Sequence, residues 1–230
     1  MRRELEEFRA YLKLERNASP HTIASYGIDL HQLADYLETR NVKLRQVDLT
    51  VLRGFLVDLH QRKLSKTSAA RKLAAVRSFF DFCILRKWVE ENPAKAIASP
   101  RLDQHVPAFL SEGDMASLIE TPSTDDDLGL RARALLEIFY ATGIRVSELV
   151  GINLEDLSLE ERMIRVRGKG KKERLVPFGR KAARSLEDYF RVRAAFPLKL
   201  GESALFLNYQ GTRLTPRSVE RIVTKYFKLA

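Results

Sequence analysis

A helical spacing of apolar residues is the feature that most constrains the fold of this chain. Four segments of the first half carry apolar side chains at steps of three and four, which places those side chains on one face of an α-helix. The apolar positions are Leu5, Phe8 and Leu12; Ile23, Tyr26, Leu30, Leu33 and Leu37; Leu52, Phe55, Leu56 and Leu59; and Leu73, Val76, Phe80 and Ile84. Because the connections between the segments are short, the pattern predicts a small all-α domain of four helices.

Residues that commonly begin helices precede two of these segments. Ser19 is followed by Pro20, a pair that predicts an N-cap and a first helical turn. Thr67 is the predicted cap of the fourth helix, which we expect to continue to about Trp88.

Prolines indicate where this domain ends. Asn92-Pro93 closes the helical pattern, and the segment from Ser99 to Pro107 has two prolines and no periodicity, which is typical of a linker. We therefore expect a helical domain over 1–98, a linker over 99–108 and a second domain over 109–230.

The second domain combines helices with one hairpin. Helical patterns follow Ser111, run from Arg131 to Tyr140 and from about Arg180 to Ala194, and begin again at Thr215-Pro216. The short apolar segment 204–207 suggests a strand or turn. Three consecutive aspartates, 125–127, are interpreted as a helix cap and not as a metal site, because consecutive carboxylates point in different directions. The expected fold class is mainly α with a small β component.

An excess of basic residues points to a polyanionic partner. Lysine and arginine number 40 against 30 acidic residues, the formal net charge is +10 and the pI is about 9.8. Nucleic acid is the first candidate for such a chain and a membrane surface the second. Because there is no apolar run of membrane-spanning length and no signal-peptide core, we expect a cytoplasmic protein with no membrane partner. A single cysteine, Cys83, excludes an internal disulfide.

A basic cluster surrounds the start of the fourth helix. Its candidate DNA-binding residues are Lys66, Thr67, Arg71, Lys72 and Arg77. A helix N-terminus with arginines beside it suits DNA phosphates. The alternative interpretation is a solvated helix face.

A tight turn in the second domain presents Arg145. Thr142-Gly143 interrupts one helical pattern, and a new helical run opens at Arg145. A planar guanidinium beside a helix start suits phosphate oxygens. The alternative is a surface arginine paired with Glu148, three residues on.

The stretch 163–177 predicts a two-stranded hairpin with a basic tip. Ile164 and Val166 alternate with Arg165 and Arg167, and glycines flank the tip. The tip lacks the spacing of a nucleotide-binding phosphate loop. Lys169, between two glycines, could approach a phosphate or a leaving oxygen closely; Lys171 and Lys172 are second choices, and a plain solvated turn is the alternative for the tip as a whole.

Two of these motifs resemble those of the bacterial tyrosine recombinases of the phage integrase family. They are Thr-Gly-Ile-Arg-Val-Ser-Glu-Leu at 142–149 and Gly-Lys-Gly-Lys-Lys-Glu-Arg at 168–174, and 92–94 and 205–207 fall where the family has similar segments. The resemblance implies a SAM-like four-helix core-binding domain, which clamps one side of the DNA, followed by an α+β catalytic domain.

The resemblance also implies an activity. In this family a tyrosine hydroxyl attacks the scissile phosphate, the 3′ end stays on the enzyme, and a partner strand's 5′ hydroxyl displaces the tyrosine, without metal, ATP or another cofactor. Arg145 matches the first of two phosphate-clamping arginines, and Lys169 matches the hairpin lysine that protonates the departing 5′ hydroxyl. The implied partners are a double-stranded recombination site and a sister recombinase in a tetrameric synaptic complex.

One departure from the family pattern is severe. The family's His-x-x-Arg motif and nucleophilic tyrosine should follow about where residue 230 stands, yet no histidine occurs after His105. Tyr226 lies on an apolar helical stripe and is interpreted as a core residue. We therefore expect a catalytic domain truncated at its C-terminus and a 230-residue chain that is inactive alone. The alternatives are a non-catalytic DNA-binding homologue that occupies recombination sites and, more distantly, an RNA-binding protein.

Overall fold

The computed structural model describes residues 1–100, 109–168, 172–197 and 199–230. The chain divides into two compact units, Met1–Val106 and Pro107–Ala230, and each has its own hydrophobic core. Most of the segment for which a linker was predicted lies outside the described residues, as do Lys169 and Lys171.

The first unit contains the four predicted helices. They are α1 (Arg2–Leu14), α2 (Pro20–Glu38), α3 (Leu49–Gln61) and α4 (Lys66–Leu85), with short 3-10 turns at Leu44–Gln46 and Pro93–Ala96. The apolar stripes meet in one core, in which Leu33, Phe79 and Phe80 are fully buried. Removing so much apolar surface from water is the main source of stability for the bundle.

One of the two predicted helix caps is confirmed and the other is wrong. The Ser19 hydroxyl accepts the Thr22 N–H at 3.1 Å. The cap of α4, however, is Ser65, whose backbone is extended and whose hydroxyl accepts the Ser68 N–H at 3.2 Å. Thr67 therefore lies inside the first helical turn and caps nothing.

The second unit is an α+β arrangement. It contains α5 (Glu112–Glu120), α6 (Asp127–Thr142), α7 (Val146–Gly151), β1 (Leu157–Ser158), β2 (Met163–Arg167), β3 (Glu173–Pro177), α8 (Arg180–Arg193) and α9 (Pro216–Phe227), with a 3-10 turn at Leu154–Asp156. Asp126 caps α6 by accepting the Gly129 N–H at 2.8 Å, which confirms a capping role for one of the three aspartates.

The predicted hairpin is confirmed and extended by one short strand. The antiparallel sheet has the order β1-β2-β3, and Ile164 pairs with Val176 while Arg167 pairs with Glu173. Ile164 and Val166 are buried, and Arg165 and Arg167 are exposed. The alternation thus gives the sheet one face for the core and one for solvent.

The core of the second unit lies between α6, α8 and the segment 204–207. Tyr189 is fully buried, and its hydroxyl accepts the Leu207 N–H at 3.2 Å. The 204–207 segment forms two isolated bridges in place of a regular strand. Tyr226 is 7% exposed and packs in this core, which confirms its interpretation as a core residue.

Two properties of the described residues bear on partners. No helix among them is long and apolar enough to cross a bilayer. Within the same residues, no group of three or more histidine, cysteine or acidic side chains is placed to bind a metal ion.

Candidate functional site

The turn between α6 and α7 exposes Arg145. Gly143 ends α6 with a left-handed backbone, φ 58°, and donates its N–H to the Phe139 carbonyl at 3.0 Å, as is common at helix C-termini. Ile144 is buried and anchors the turn. Arg145 follows with an extended backbone, and 77% of its side chain is exposed. Its guanidinium is therefore accessible to a ligand that approaches from solvent.

A buried carboxylate lies beneath this arginine. Glu148 is 4% exposed. Its Oε2 accepts the Arg145 backbone N–H at 2.9 Å, and its Oε1 accepts Arg145 Nη1 at 3.3 Å. The Arg145–Glu148 ion pair, which was the alternative interpretation of the sequence, is thus present, and the Arg145 guanidinium is nevertheless exposed.

Arg174 on β3 holds the same carboxylate from the other side. Its Nη1 and Nη2 donate to Oε1 and Oε2 of Glu148, each at 2.9 Å. This fork lowers the pKa of Glu148 to about 2, although burial acts in the opposite direction. Glu148 is therefore ionised at neutral pH, and it joins the Arg145 turn to the hairpin.

The base of the hairpin lies against this cluster. The Gly168 N–H donates to the Lys172 carbonyl at 2.8 Å, and a Cβ at Gly168 would lie 3.4 Å from Glu148 Oε1. A methyl group at position 168 would therefore be in van der Waals contact with the carboxylate. Lys172 is exposed. The structure thus places Gly168 beside Glu148, and the predictions for Lys169 and Lys171 fall outside the described residues.

The first unit carries a separate set of basic residues. Lys66 and Thr67 are exposed in the first turn of α4. One turn later, the Arg71 side chain is 43% exposed and donates to the buried carboxylate of Asp29 and to the Ser25 carbonyl at 3.4 Å. These three residues lie on the accessible side of α4, as a phosphate-binding role requires.

The structure contradicts the prediction that Lys72 contacts DNA. Its side chain is 4% exposed, and its Nζ lies 2.7 Å from Asp29 Oδ1 and 2.7 Å from Gln32 Oε1. Successive helical residues are rotated by about 100°, so that Lys72 enters the core while Arg71 remains accessible. Lys72 neutralises Asp29 and is not a surface residue.

Arg77, which is half-buried, has hydrogen-bond partners within the first unit. Its guanidinium donates to the Ala94 carbonyl at 3.2 Å, to Ser99 Oγ at 2.8 Å and to the Ile97 carbonyl. It ties the segment after α4 to the helix, and the DNA contact predicted for Arg77 stays a prediction.

The sequence contains a signal for the buried carboxylate of Asp29, which the sequence analysis did not identify. Asp29 follows Tyr26 by three residues and precedes Leu33 by four, which places it on the apolar face of α2. A carboxylate on a buried face requires a cation partner, and Lys72 and Arg71 provide it.

Comparison with known proteins identifies the family. The phage integrase family matches residues 108–230, and the phage integrase N-terminal SAM-like domain matches residues 5–87. The tyrosine recombinase XerC of Thermodesulfovibrio yellowstonii is 41% identical over 228 residues, which cover 97% of this chain and 75% of that protein. XerC of Syntrophus aciditrophicus is 39% identical over 239 residues, covering 98% of this chain and 77% of that protein.

Solved structures share the fold. A lambda integrase dimer bound to a COC′ core site matches with a TM-score of 0.74 to 0.75 in two crystal structures at 14% identity, covering 99% of this chain and, in the longer one, 63% of that chain. The XerH recombinase bound to palindromic difH matches with a TM-score of 0.71 at 22% identity, covering 96% of this chain and 67% of that chain. A SAM-like helical domain followed by an integrase catalytic domain defines the class of the protein. The chain belongs to the phage integrase family of tyrosine recombinases, with curated relatives of the XerC type.

Proposed function

We propose that this chain carries the DNA-binding and phosphate-activating part of a XerC-like site-specific recombinase. The observation that supports this most is the exposed Arg145 guanidinium, held by a buried Glu148 beside the base of a basic hairpin. Arg145 stabilises the charge that gathers on the attacked phosphate, which is the largest demand of such a transition state.

In this proposal a lysine of the hairpin protonates the leaving group. The reaction cuts and rejoins DNA through a 3′-phosphotyrosyl intermediate, and the departing 5′ oxygen needs a proton. Lys169 is the proposed donor, with Lys171 and Lys172 as second choices. No metal or ATP takes part in the proposed steps.

The proposed partners are duplex DNA and a second Xer-type recombinase. Lys66, Thr67 and Arg71 on α4 and the hairpin lysines supply phosphate contacts. A lambda integrase tetramer bound to a Holliday junction has this fold, with a TM-score of 0.74 at 15% identity, which supports a tetrameric synaptic complex. The proposed cellular role is resolution of chromosome dimers in the cytoplasm.

A second candidate function is occupation of recombination sites without cleavage. It needs only the exposed basic residues of the two units, such as Lys66, Arg71 and Arg145, and no nucleophile. In either function the chain binds duplex DNA, and the two differ in whether strand cleavage follows.

The test is the salt dependence of duplex DNA binding, measured by fluorescence anisotropy on the 230-residue chain. Replacing one phosphate-contacting arginine should lower the slope of log Kd against log salt by about 0.9 and weaken binding about five- to tenfold at moderate salt. We expect this result for Arg145→Ala.

Arg191→Ala is the matched control. The Arg191 side chain is 76% exposed and pairs with Asp188 at 3.2 Å, much as Arg145 pairs with Glu148, but it lies on α8. Its replacement should leave the slope unchanged. An unchanged slope in Arg145→Ala would remove Arg145 from the DNA interface and contradict the proposed function.

A further inference from the structure

We infer that Arg174 is a positioning residue for Arg145: by neutralising Glu148, it leaves the positive charge of the Arg145 guanidinium available to a DNA phosphate. The inference rests on the proposed function of Arg145. Arg174, which lies on β3, thus affects phosphate binding without having to contact the phosphate itself.

The hydrogen bonds of Glu148 are shared unequally between the two arginines. A carboxylate offers about four acceptor positions, and here they receive four N–H groups. Two come from the Arg174 fork at 2.9 Å, one from the Arg145 backbone at 2.9 Å and one from Arg145 Nη1 at 3.3 Å. Bidentate, short contacts are the stronger ones. Arg174 is therefore the main partner of the carboxylate, and the Arg145 side chain is held by the longest contact of the four.

The charges of the cluster explain why this matters. Glu148 contributes −1 and each arginine +1, so the cluster carries +1. Without Arg174, the buried carboxylate and Arg145 would form a neutral pair. The carboxylate would then draw the Arg145 fork toward itself, since a buried charge must be paired, and it would repel an approaching phosphate. Arg174 removes this competition.

The position of Arg174 in the sheet fits the same role. It pairs with Val166 across β2 and β3, and its Nη1 would lie 3.6 Å from a Cβ at Gly168. The fork that neutralises Glu148 thus also fixes the base of the hairpin against the Arg145 turn. One ion pair sets the geometry of both elements.

The test uses salt-dependent binding of a fluorescein-labelled duplex of mixed sequence to the whole 230-residue chain. Arg174→Met removes the charge and the fork, and it should lower the slope by about 0.9, as Arg145→Ala does, with a loss of affinity of about five- to tenfold. Arg174→Lys keeps the charge without the fork and should retain the parental slope. Glu148→Gln added to Arg174→Met removes the competing carboxylate, and the parental slope should return.

Arg167→Met is the matched control. Arg167 lies on β2, and its Nη1 and Nη2 donate to buried Asp156 at 3.0 and 2.9 Å. Its side chain is 43% exposed, against 46% for Arg174. Its Nε also donates to Glu173 at 2.9 Å, so that its replacement breaks ion pairs with two acidic residues in the same sheet without touching Glu148. It should lower the melting temperature and leave the slope unchanged, which separates a loss of stability from a loss of phosphate binding.

Three results would overturn the inference. A parental slope in Arg174→Met would show that Glu148 does not compete for Arg145. A reduced slope in Arg174→Lys would show that geometry matters and charge does not. A slope that stays low in the Glu148→Gln, Arg174→Met double variant would show that Arg174 contacts DNA itself. If Arg145→Ala leaves the slope unchanged, the proposed function fails as well; if only the Arg174 variants behave unexpectedly, this inference alone fails.

Discussion

At the scale of single residues, buried carboxylates set the positions of the exposed arginines. Asp29 is completely buried and binds Lys72 and Arg71, while Glu148 binds Arg174 and Arg145. In each cluster one cation neutralises the acid and a second, more accessible one faces solvent. An unpaired charge in either place would be costly.

Replacing Lys72 tests this arrangement in the first unit. Lys72→Met leaves Asp29 with the half-exposed Arg71 alone. Removing one partner of a buried ion pair costs about 3 kcal/mol at the lower end of the usual range, and we expect a cost of this size because Arg71 still pairs with Asp29. Urea unfolding measures it. Lys13→Met, at an exposed position of α1, is the control and should change stability by less than about 0.5 kcal/mol. Equal stability of the two variants would contradict the pairing.

The error on Lys72 shows what a charge pattern leaves undetermined at this scale. Arg71 and Lys72 are adjacent in sequence and alike in charge, and the composition of the cluster predicts the same role for both. Their separation depends on which of them faces α2, where Asp29 lies in the core. That assignment requires the packing of two helices and not the sequence of one.

At the scale of elements, the contact between α7 and the hairpin depends on the ionisation of Glu148. The Arg174 hydrogen bonds lower the pKa of Glu148 from 4.5 to about 2 in the folded state. A carboxyl group with a lowered folded-state pKa contributes stability that is fully present above its unfolded value and is lost as the pH falls through the folded value. The contribution of Glu148 should therefore disappear between pH 4.5 and about 2.

Glu148→Gln tests this dependence. Its free energy of unfolding should be lower than that of the parent chain near neutral pH, and the difference should shrink as the pH falls through this window. Thermal unfolding at a series of pH values measures it. Glu160→Gln, at an exposed position before β2, should follow the parent chain throughout. A constant difference between Glu148→Gln and the parent would show that Glu148 stabilises the fold without its charge.

The periodicity of apolar residues predicted the helices and strands, but it did not predict where each one begins. The steps of three and four located α1 to α4, and the alternation at 163–167 located β2. The start of α4 was misplaced because Ser65 and Thr67 both cap helices well, and only the extended backbone at Ser65 decides between them. The 204–207 segment could not be assigned, because its bridges involve Asn153 and Arg213, which are distant in sequence or on the far side of a turn.

At the scale of the whole molecule, the chain joins two folded units that both carry accessible basic residues. The motifs at 142–149 and 168–174 predicted the family, which the comparisons confirm. They could not show that Glu148 is shared by two arginines, because the sharing depends on how the hairpin packs against α7. The basic net charge of +10 and the exposed arginines support DNA binding, whereas cleavage needs a nucleophile as well.

The tyrosines of the second unit are poorly suited to that task. Tyr189 and Tyr226 are buried, and burial raises the pKa of Tyr189, which makes its hydroxyl a weaker nucleophile at neutral pH. Tyr140 and Tyr209 are 57% and 71% exposed, but neither is joined to a histidine that could activate it, since the last histidine of the sequence is His105.

We therefore expect the 230-residue chain to bind duplex DNA and to form no covalent adduct with it. The substrate is a duplex nicked next to the cleavage position, which traps a phosphotyrosyl intermediate because the cut fragment diffuses away. A mobility-shift assay on the same DNA establishes that the chain is bound, and a denaturing gel should then show no protein–DNA species. A denaturant-resistant band that disappears in Tyr209→Phe or Tyr140→Phe would identify a nucleophile within these residues and contradict the expectation. If the band disappears in Tyr226→Phe instead, Tyr226 is the nucleophile, and α9 must leave the core when DNA binds.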